Sequence, residues 1–344
     1  MSLASVADFA GGSILQGDLG WMVENVSTDT RTVGTGELFF ALSGENFDGH
    51  RFVAEAAKRG AGAVVVDSEV TGVPDTCGII KVFDTLSALQ TMARRYREYL
   101  EPKVVGITGS NGKTSTKDMV AAVLETKFSV NATVGNLNNH IGVPLSVLKT
   151  KPSDEFGVFE MGMNHPGEIE VLADIALPDI GIITNVGVAH IEFMKTREAI
   201  ALEKGMLAES VSRNGHVILN HEDEFSDSIA ARTRATVIRA GIDGGDITAK
   251  EIRTDGETTK FVLCTPAGEC GVSIPVVGRH MVTNALLAAS AGWLSGLSVE
   301  EVAYGLGGVE ISDGRLKISW GRCFWYEWRS SLRCYSCRKW IRTR

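Results

Sequence analysis

Residues 104–116 read VVGITGSNGKTST, and no other stretch narrows the fold so far. An unbroken apolar run, a glycine-rich turn, and then Lys-Thr with helix formers is a strand that passes through a tight loop into a helix. A loop that holds phosphates needs backbone N–H groups turned inward and nothing bulky in the way, which Gly109 and Gly112 supply. Ser110 and Asn111 complete the loop, and Ser115 follows it into the helix. Lys113 would add a point charge for the β- and γ-phosphates, and the Thr114 hydroxyl is placed to ligate Mg²⁺. The helix directs its positive end at the same anion. Its residues Met119, Val120, Val123 and Leu124 recur at helical spacing. The strict G-x-x-x-x-G-K-[ST] pattern asks for Gly at 107, where this chain has Ile; its glycines stand at 106, 109 and 112. The segment reads as an ATP-binding loop.

From residue 103 strand and helix alternate. VVGIT (104–108), FGVFEMG (156–162), IGIITNV (180–186) and HVILN (216–220) are continuous apolar strand candidates, and helix candidates start near Thr114, Pro166, Arg197 and Thr283. Strands apolar on both faces belong to a mostly parallel sheet with helices on both faces. Residues 246–277 instead alternate around Asp255–Gly256 and Pro266–Gly268, as hairpins do, and are expected to form an antiparallel edge of this domain. Residues 1–100 read as a smaller α/β unit. GELFFAL (36–42) and AGAVVVD (61–67) are its strands, with HRFVAEAAKRG (50–60) the helix between them, closed by Gly60. Asp84 can cap a helix to about Leu100 whose stripe is Leu86, Leu89, Met92 and Ala93, and Glu101–Pro102 breaks it. The predicted organisation is α/β: an N-terminal domain over 1–100, a central phosphate-loop domain over 101–311, and a distinct segment over 312–344.

Composition bounds the class. At 344 residues, 44% hydrophobic and 22% charged, the chain can build two or three cored domains of an ordinary globular protein. No apolar run approaches the roughly 20 residues that span a bilayer, and MSLASVADFA lacks the basic start and apolar core of a signal peptide. Six scattered cysteines show no metal-ligand spacing through residue 319 and no disulfide framework. A cytoplasmic enzyme, monomeric and without membrane insertion, is the expectation. The formal net charge of −8 argues against nonspecific nucleic-acid binding.

Three polar residues sit at or just beyond strand ends, where open parallel sheets place their ligands. Glu160 closes an apolar strand, where a carboxylate is costly unless paired or metal-bound. His190 follows the next strand, and Lys204 lies in the helix beyond it. Alone, each reads equally as a capping Glu, a satisfied His and a solvated Lys; beside a phosphate loop they form a candidate Mg²⁺ shell with Thr114. TVGNLNNHIGVPL (133–145) concentrates Asn136, Asn138 and Asn139. It is either a turn-rich loop or a set of neutral amide donors for phosphate or substrate.

Together the motifs TGSNGKTST, TVGNLNNHIGVP, EMGMNHPGEI, TNVGVAHIE and GRHMVTNALLAA stand in the order and spacing of the Mur ligase family, and residues 26–66 resemble its UDP-binding domain. The resemblance covers roughly residues 20–318. It implies an ATP-dependent carbon–nitrogen ligase of peptidoglycan precursor synthesis, with roles in cell-wall biogenesis, cell shape and division. The asparagine segment and EMGMNHPGEI are similar to those of the branch that joins D-alanyl-D-alanine to UDP-N-acetylmuramoyl-tripeptide through an acyl phosphate. By resemblance, Thr114 and Glu160 would hold one Mg²⁺ and His190 would help hold a second. Lys204, fourteen residues after His190, matches a lysine that carbon dioxide converts into a carboxylate-like metal ligand. Lys113, Lys204 and His190 would form the catalytic set. Asn284 corresponds to an adenine-contacting Asn, and Arg315, in SDGRLKI, to an Arg near the ATP phosphates. Ser27, Thr28, Asp29 and Arg31 are candidates for the UDP end, and Asn136, Asn138 and Asn139 for the substrate. Where the family often carries Asn after the His at 280, this chain has Met281. Two other readings stay open: a folylpolyglutamate- or cyanophycin-type ligase, against which the UDP-domain motif argues, and a noncatalytic nucleotide-binding module.

After GRLKI the family continues into a third, nucleotide-fold domain. Here residues 320–344 carry seven Lys/Arg against one Glu, four of the six tryptophans, and a lone CxxC at Cys334 and Cys337. The expectation is a frame shift or premature end near codon 319, giving a chain that ligates little or nothing; the alternative is a short true extension.

Overall fold

Central strands that are apolar on both sides need cover on both faces, and the structure, a computed structural model, supplies it. Residues 1–44, 47–189 and 191–310 are described. The N-terminal part comprises α1 (Leu3–Ala10), β1 (Ser13–Gln16), β2 (Val26–Ser27), β3 (Leu38–Phe40) and a small hairpin, β4 (Ser43–Gly44) with β5 (Phe47–Asp48). It continues with α2 (Val53–Lys58), β6 (Ala63–Val66), β7 (Gly78–Lys81) and α3 (Thr85–Leu100). Its sheet runs β1-β7-β6-β3-β2, parallel except at β1. Alternate side chains go to opposite faces. Leu38, Phe40, Val65 and Ile80 share a core with Leu3, Val6 and, from α3, Leu89 and Met92, while Phe39, Val64 and Val66 share one with α2.

The helix predicted over 50–60 is shorter. A 3₁₀ turn at Gly49–Phe52 comes first, because the Asp48 carboxylate accepts the His50 N–H at 3.0 Å and the His50 ring at 2.9 Å. Gly60 lies past the end of α2 with φ 106°, as a helix-closing glycine should. Asp84 caps α3 by accepting the Ser87 N–H at 2.7 Å, and Glu101 ends it in the left-handed conformation just before Pro102.

The central part begins with β8 (Lys103–Thr108), α4 (Lys113–Leu124), β9 (Val130–Ala132), α5 (Gly142–Leu148), β10 (Phe156–Glu160) and α6 (Glu168–Ala176). It continues through β11 (Ile180–Ile183), α7 (Ile191–Met194), α8 (Arg197–Ser210), β12 (His216–Asn220), α9 (Ser226–Ala230) and β13 (Thr236–Ala240). These six strands form one parallel sheet in the order β13-β12-β11-β8-β10-β9. Val105, Ile107, Val158, Ile182 and Ile218 join one core with α4; Val104, Phe159, Ile183, Val217 and Leu219 join the other with α5, α6 and α8. Each such side chain contributes about 1.5–3 kcal/mol on burial.

The hairpins at 246–277 are antiparallel, but they do not extend the parallel sheet. They form a separate three-stranded sheet of β14 (Thr248–Asp255), β15 (Thr258–Thr265) and β16 (Gly268–Ile274). Its apolar side, with Leu263, Val272 and Ile274, joins the core that also holds α10 (Arg279–Leu294) and α11 (Val299–Gly307). An isolated bridge between Ala240 and Ile247 links the two sheets. Amphipathic strands need one covered face, and helices meet that need as well as an adjoining strand would.

Two features place the functional residues. The register sets Glu160 beside Ile107 and Ile183 beside Thr108, so β8, β10 and β11 end together with β8 in the middle. The chain passes from β8 to β9 and β10 on one side, then crosses to β11–β13 on the other. That reversal is the crevice where open parallel sheets bind ligands.

Candidate functional site

Loop 109–112 leaves the middle strand and is held by the loop that follows β11. The Thr184 hydroxyl donates to the Asn111 carbonyl at 2.6 Å, and the Asn185 amide donates there at 2.9 Å while its oxygen accepts the Asn111 N–H at 3.0 Å. The Ser110 hydroxyl accepts the Gly187 N–H at 2.8 Å. Gly109 has φ 151° and Gly112 φ 79°; a Cβ would meet the Thr184 hydroxyl at 1.9 Å in the first case and the Asn284 amide at 2.8 Å in the second. The glycines therefore serve packing against neighbours as well as access for a ligand. Asn284, buried in α10, stands against Gly112 at the end of the loop. Lys113 folds back across the loop, its ammonium donating to the Gly109 carbonyl at 2.8 Å, and burial lowers its pKa.

Glu160, 3% exposed, closes β10. Thr114 Oγ1 donates to one of its carboxylate oxygens and Asn138 Nδ2 to the other, each at 2.8 Å. The helix that carries the lysine is thus tied directly to the neighbouring strand end. The three asparagines part company here. Asn138 holds Glu160; Asn139 Oδ1 accepts the N–H groups of Ile141 (3.2 Å) and Gly142 (2.8 Å) at the start of α5, the turn-and-cap reading; the Asn136 backbone carbonyl accepts the Asn138 N–H at 2.8 Å. A cavity of about 170 Å³ opens between Lys113, Asn138, Asn139, His140 and Glu168.

Lys204 is not a solvated helix lysine. It is 1% exposed in α8, and burial, reinforced by the nearby Lys113 charge, pulls its pKa down to about 7. No hydrogen bond to its ammonium occurs among the described residues. His190 and Arg315 lie outside the described residues, as does all of 312–344 with its CxxC. Among the described residues no three His, Cys, Asp or Glu side chains stand together as a metal cluster. A cation at Thr114 and Glu160 would therefore draw most of its ligands from a nucleotide and water, as Mg²⁺ does. Those two hard oxygen donors, already in contact, fit it.

In the N-terminal part, Ser27 ends β2 and Thr28 to Arg31 follow it. The Ser27 hydroxyl accepts the Asp29 N–H at 3.3 Å, and the Arg31 guanidinium grips both Asp29 oxygens at 2.6–3.1 Å. Arg31's side-chain and backbone hydrogen bonds hold the Asp29 carboxyl at about 2. Thr28 lies in the same turn.

Several supporting residues escaped the sequence reading. Thr184 and Asn185 lie within a motif noted only for His190. Lys117 and Glu203 are buried charges, Lys117 in line with Val120 and Leu124, and Glu203 with Ile200 and Leu207. A charge at helical spacing within an apolar stripe was the available signal. Glu203 accepts the N–H groups of Gly167 and Ile169 at 2.8 Å each, capping α6 from a different helix.

A loop of this build, at the switch point of a parallel sheet, puts the chain among the phosphate-loop α/β proteins. Residues 107–292 match the Mur ligase middle domain, and residues 22–97 match the Mur ligase family catalytic domain. The chain belongs to the Mur ligase family. It is 39% identical over 298 residues to the UDP-N-acetylmuramoyl-tripeptide–D-alanyl-D-alanine ligase of Bacillus subtilis, covering 86% of this chain and 64% of that relative's length. It superposes on MurF from Acinetobacter baumannii with TM-score 0.85 at 31% identity, covering 92% of this chain and 70% of that one. A MurF ligase from Thermotoga maritima in complex with ADP gives 0.75 at 29% identity, covering 85% and 67%.

Proposed function

We propose that the chain is an ATP-dependent amide ligase that joins D-alanyl-D-alanine to UDP-N-acetylmuramoyl-tripeptide in peptidoglycan precursor synthesis. The observation that carries this is the polar cavity opening directly beside Lys113, where an acceptor carboxylate could meet a γ-phosphate held by the loop. The relatives' activity and the ADP complex of the Thermotoga protein support it.

The chemistry needs two anions brought together. The loop amides at Gly109–Thr114, the Lys113 ammonium and the α4 N-terminus would screen that repulsion. Attack of the tripeptide's terminal carboxylate oxygen on the γ-phosphorus breaks the bond to ADP and leaves an acyl phosphate. The D-alanyl-D-alanine amine then adds to the acyl carbon, loses a proton, and phosphate departs as the amide forms. Mg²⁺ held by Thr114 and Glu160 would supply charge neutralisation across the β- and γ-phosphates. Asn284 would face the adenine, and Ser27, Thr28, Asp29 and Arg31 the UDP end. Lys204 is suited to carbamate formation: its low pKa leaves a share of neutral amine near pH 7, and only that form adds carbon dioxide. Residues 1–100 would then act as the precursor-binding domain and 101–311 as the ATP domain. Three free cysteines among the described residues, with burial pushing the Cys77 thiol up to about 11, suit the reducing cytoplasm.

The test is hydroxylamine trapping. Trapping reads formation of the acyl phosphate and not the ligation step that follows it: with ATP, Mg²⁺ and UDP-N-acetylmuramoyl-tripeptide, the chain is expected to yield the tripeptide hydroxamate, and Lys113→Ala to yield none. Trapping with a folate or glutamyl substrate instead, or nucleotide binding with no trapped product, would overturn the proposal.

A further inference from the structure

We infer that Lys117 is a positioning residue for Glu160, a buried ammonium that fixes, through Thr133, where the carboxylate at the end of β10 meets Thr114. The inference rests on reading Thr114 and Glu160 as cation ligands. The first turn of α4 offers Lys113 and Thr114 to the loop, and one turn on Lys117 is 4% exposed. Burying an ammonium is unfavourable unless it is paired and hydrogen-bonded. Here its nitrogen donates to the Thr133 carbonyl at 2.9 Å and lies 2.6 Å from the buried Asp118 carboxylate. A helix that needed only to pack would carry an apolar residue in that stripe.

The carbonyl it holds is the informative partner. Thr133 is the first residue after β9, and its other polar groups engage β10: its N–H donates to the Val158 carbonyl at 3.0 Å, and its hydroxyl accepts the Glu160 N–H at 3.0 Å. The contacts close a ring. Lys117 holds Thr133, Thr133 holds the Glu160 backbone, the Glu160 carboxylate accepts from Thr114, and Thr114 returns to α4 three residues before Lys117. Helix and strand end are therefore locked at two points, and only one of them would remain without Lys117. Without Lys117, Thr133 would still tie β9 to the Glu160 backbone, but α4 would no longer grip that tie.

The experiment titrates Mn²⁺ into the full chain with ADP, reading free Mn²⁺ by electron paramagnetic resonance, for wild type, Lys117→Met, Thr133→Val and the double variant. Circular dichroism and urea midpoints report folding separately. Each single variant is expected to raise the Mn²⁺ dissociation constant about tenfold, the usual size of an outer-shell effect. The double variant should be no worse than the worse single, because both break one ring. Wild-type affinity in either folded single variant, or an additive double, overturns the inference, since a merely structural role would lower the urea midpoint alone. Should Lys117→Met fail to fold, Thr133→Val decides by itself. A wild-type chain that holds no Mn²⁺ with ADP sinks the underlying reading of Thr114 and Glu160 and the inference with it, a result distinct from wild-type binding unchanged in the variants.

Discussion

Gly109 shows how much one residue can decide. Its backbone lies where L side chains are strained, and a methyl group would run into the Thr184 hydroxyl that holds Asn111. Gly109→Ala is expected to cost about 1–3 kcal/mol of local strain and at least about tenfold in nucleotide affinity, measured by ADP titration calorimetry. Lys204 predicts a pH signature. Its pKa is about 7 in the folded chain against an ordinary 10.5, so between those values the unfolded chain binds the extra proton. Stability from this group therefore rises as pH climbs from about 7 to about 10, and the penalty is fully present below that window. In carbon-dioxide-free buffer, Lys204→Met should flatten that rise in urea midpoint; equal slopes in both proteins would refute the assignment. At this scale the sequence was readable where chemistry is concentrated in a motif, as at Lys113, Thr114 and Glu160. It was opaque where a residue acts by supporting another: nothing local to Asn138 says that its amide goes to a carboxylate 22 positions away.

Among the elements, the loop after β11 depends on distant charges. Both polar groups of the Val186 peptide are gripped: Asp223 accepts its N–H at 2.7 Å and Arg197 donates to its carbonyl at 2.8 Å, with Arg197 also paired to Glu224. Because this loop buttresses Ser110 and Asn111, Asp223→Ala should weaken ADP binding several-fold, consistent with about 1–3 kcal/mol for an unsatisfied buried donor. Unchanged ADP affinity in a folded variant would show that the buttress tolerates a loose Val186. Glu203→Ala removes the cap on α6 and is expected to cost about 1 kcal/mol, roughly 2–4 °C in thermal midpoint by calorimetry. Element types were legible because periodicity differs between a buried parallel strand and an amphipathic hairpin strand. Where β14–β16 would lie was not, since their alternating pattern is satisfied equally by a sheet edge and by the underside of α10 and α11. The strands predicted at 156–162 and 180–186 end earlier, at Glu160 and Ile183, where the backbone turns from sheet pairing to the site.

For the molecule as a whole, α3 joins the N-terminal sheet to the central part. Arg97 donates to the Ala176 and Leu177 carbonyls and pairs with Asp179 at 2.9 Å, Tyr96 reaches the Thr150 carbonyl at 2.8 Å, and Arg94 pairs with Asp174. Arg97→Ala should loosen this seat and split one calorimetric transition into two; a single transition at unchanged midpoint would mean the apolar contacts of Leu145 and Leu148 suffice. The order of strands also has a consequence during synthesis. The phosphate loop leaves the ribosome early, between residues 104 and 116, yet the residues that shape it come from 184–187, and those are fixed in turn by residue 223. A nascent chain halted before that point carries the whole glycine motif and no finished pocket, so the ability to hold a nucleotide should arrive late in translation and all at once.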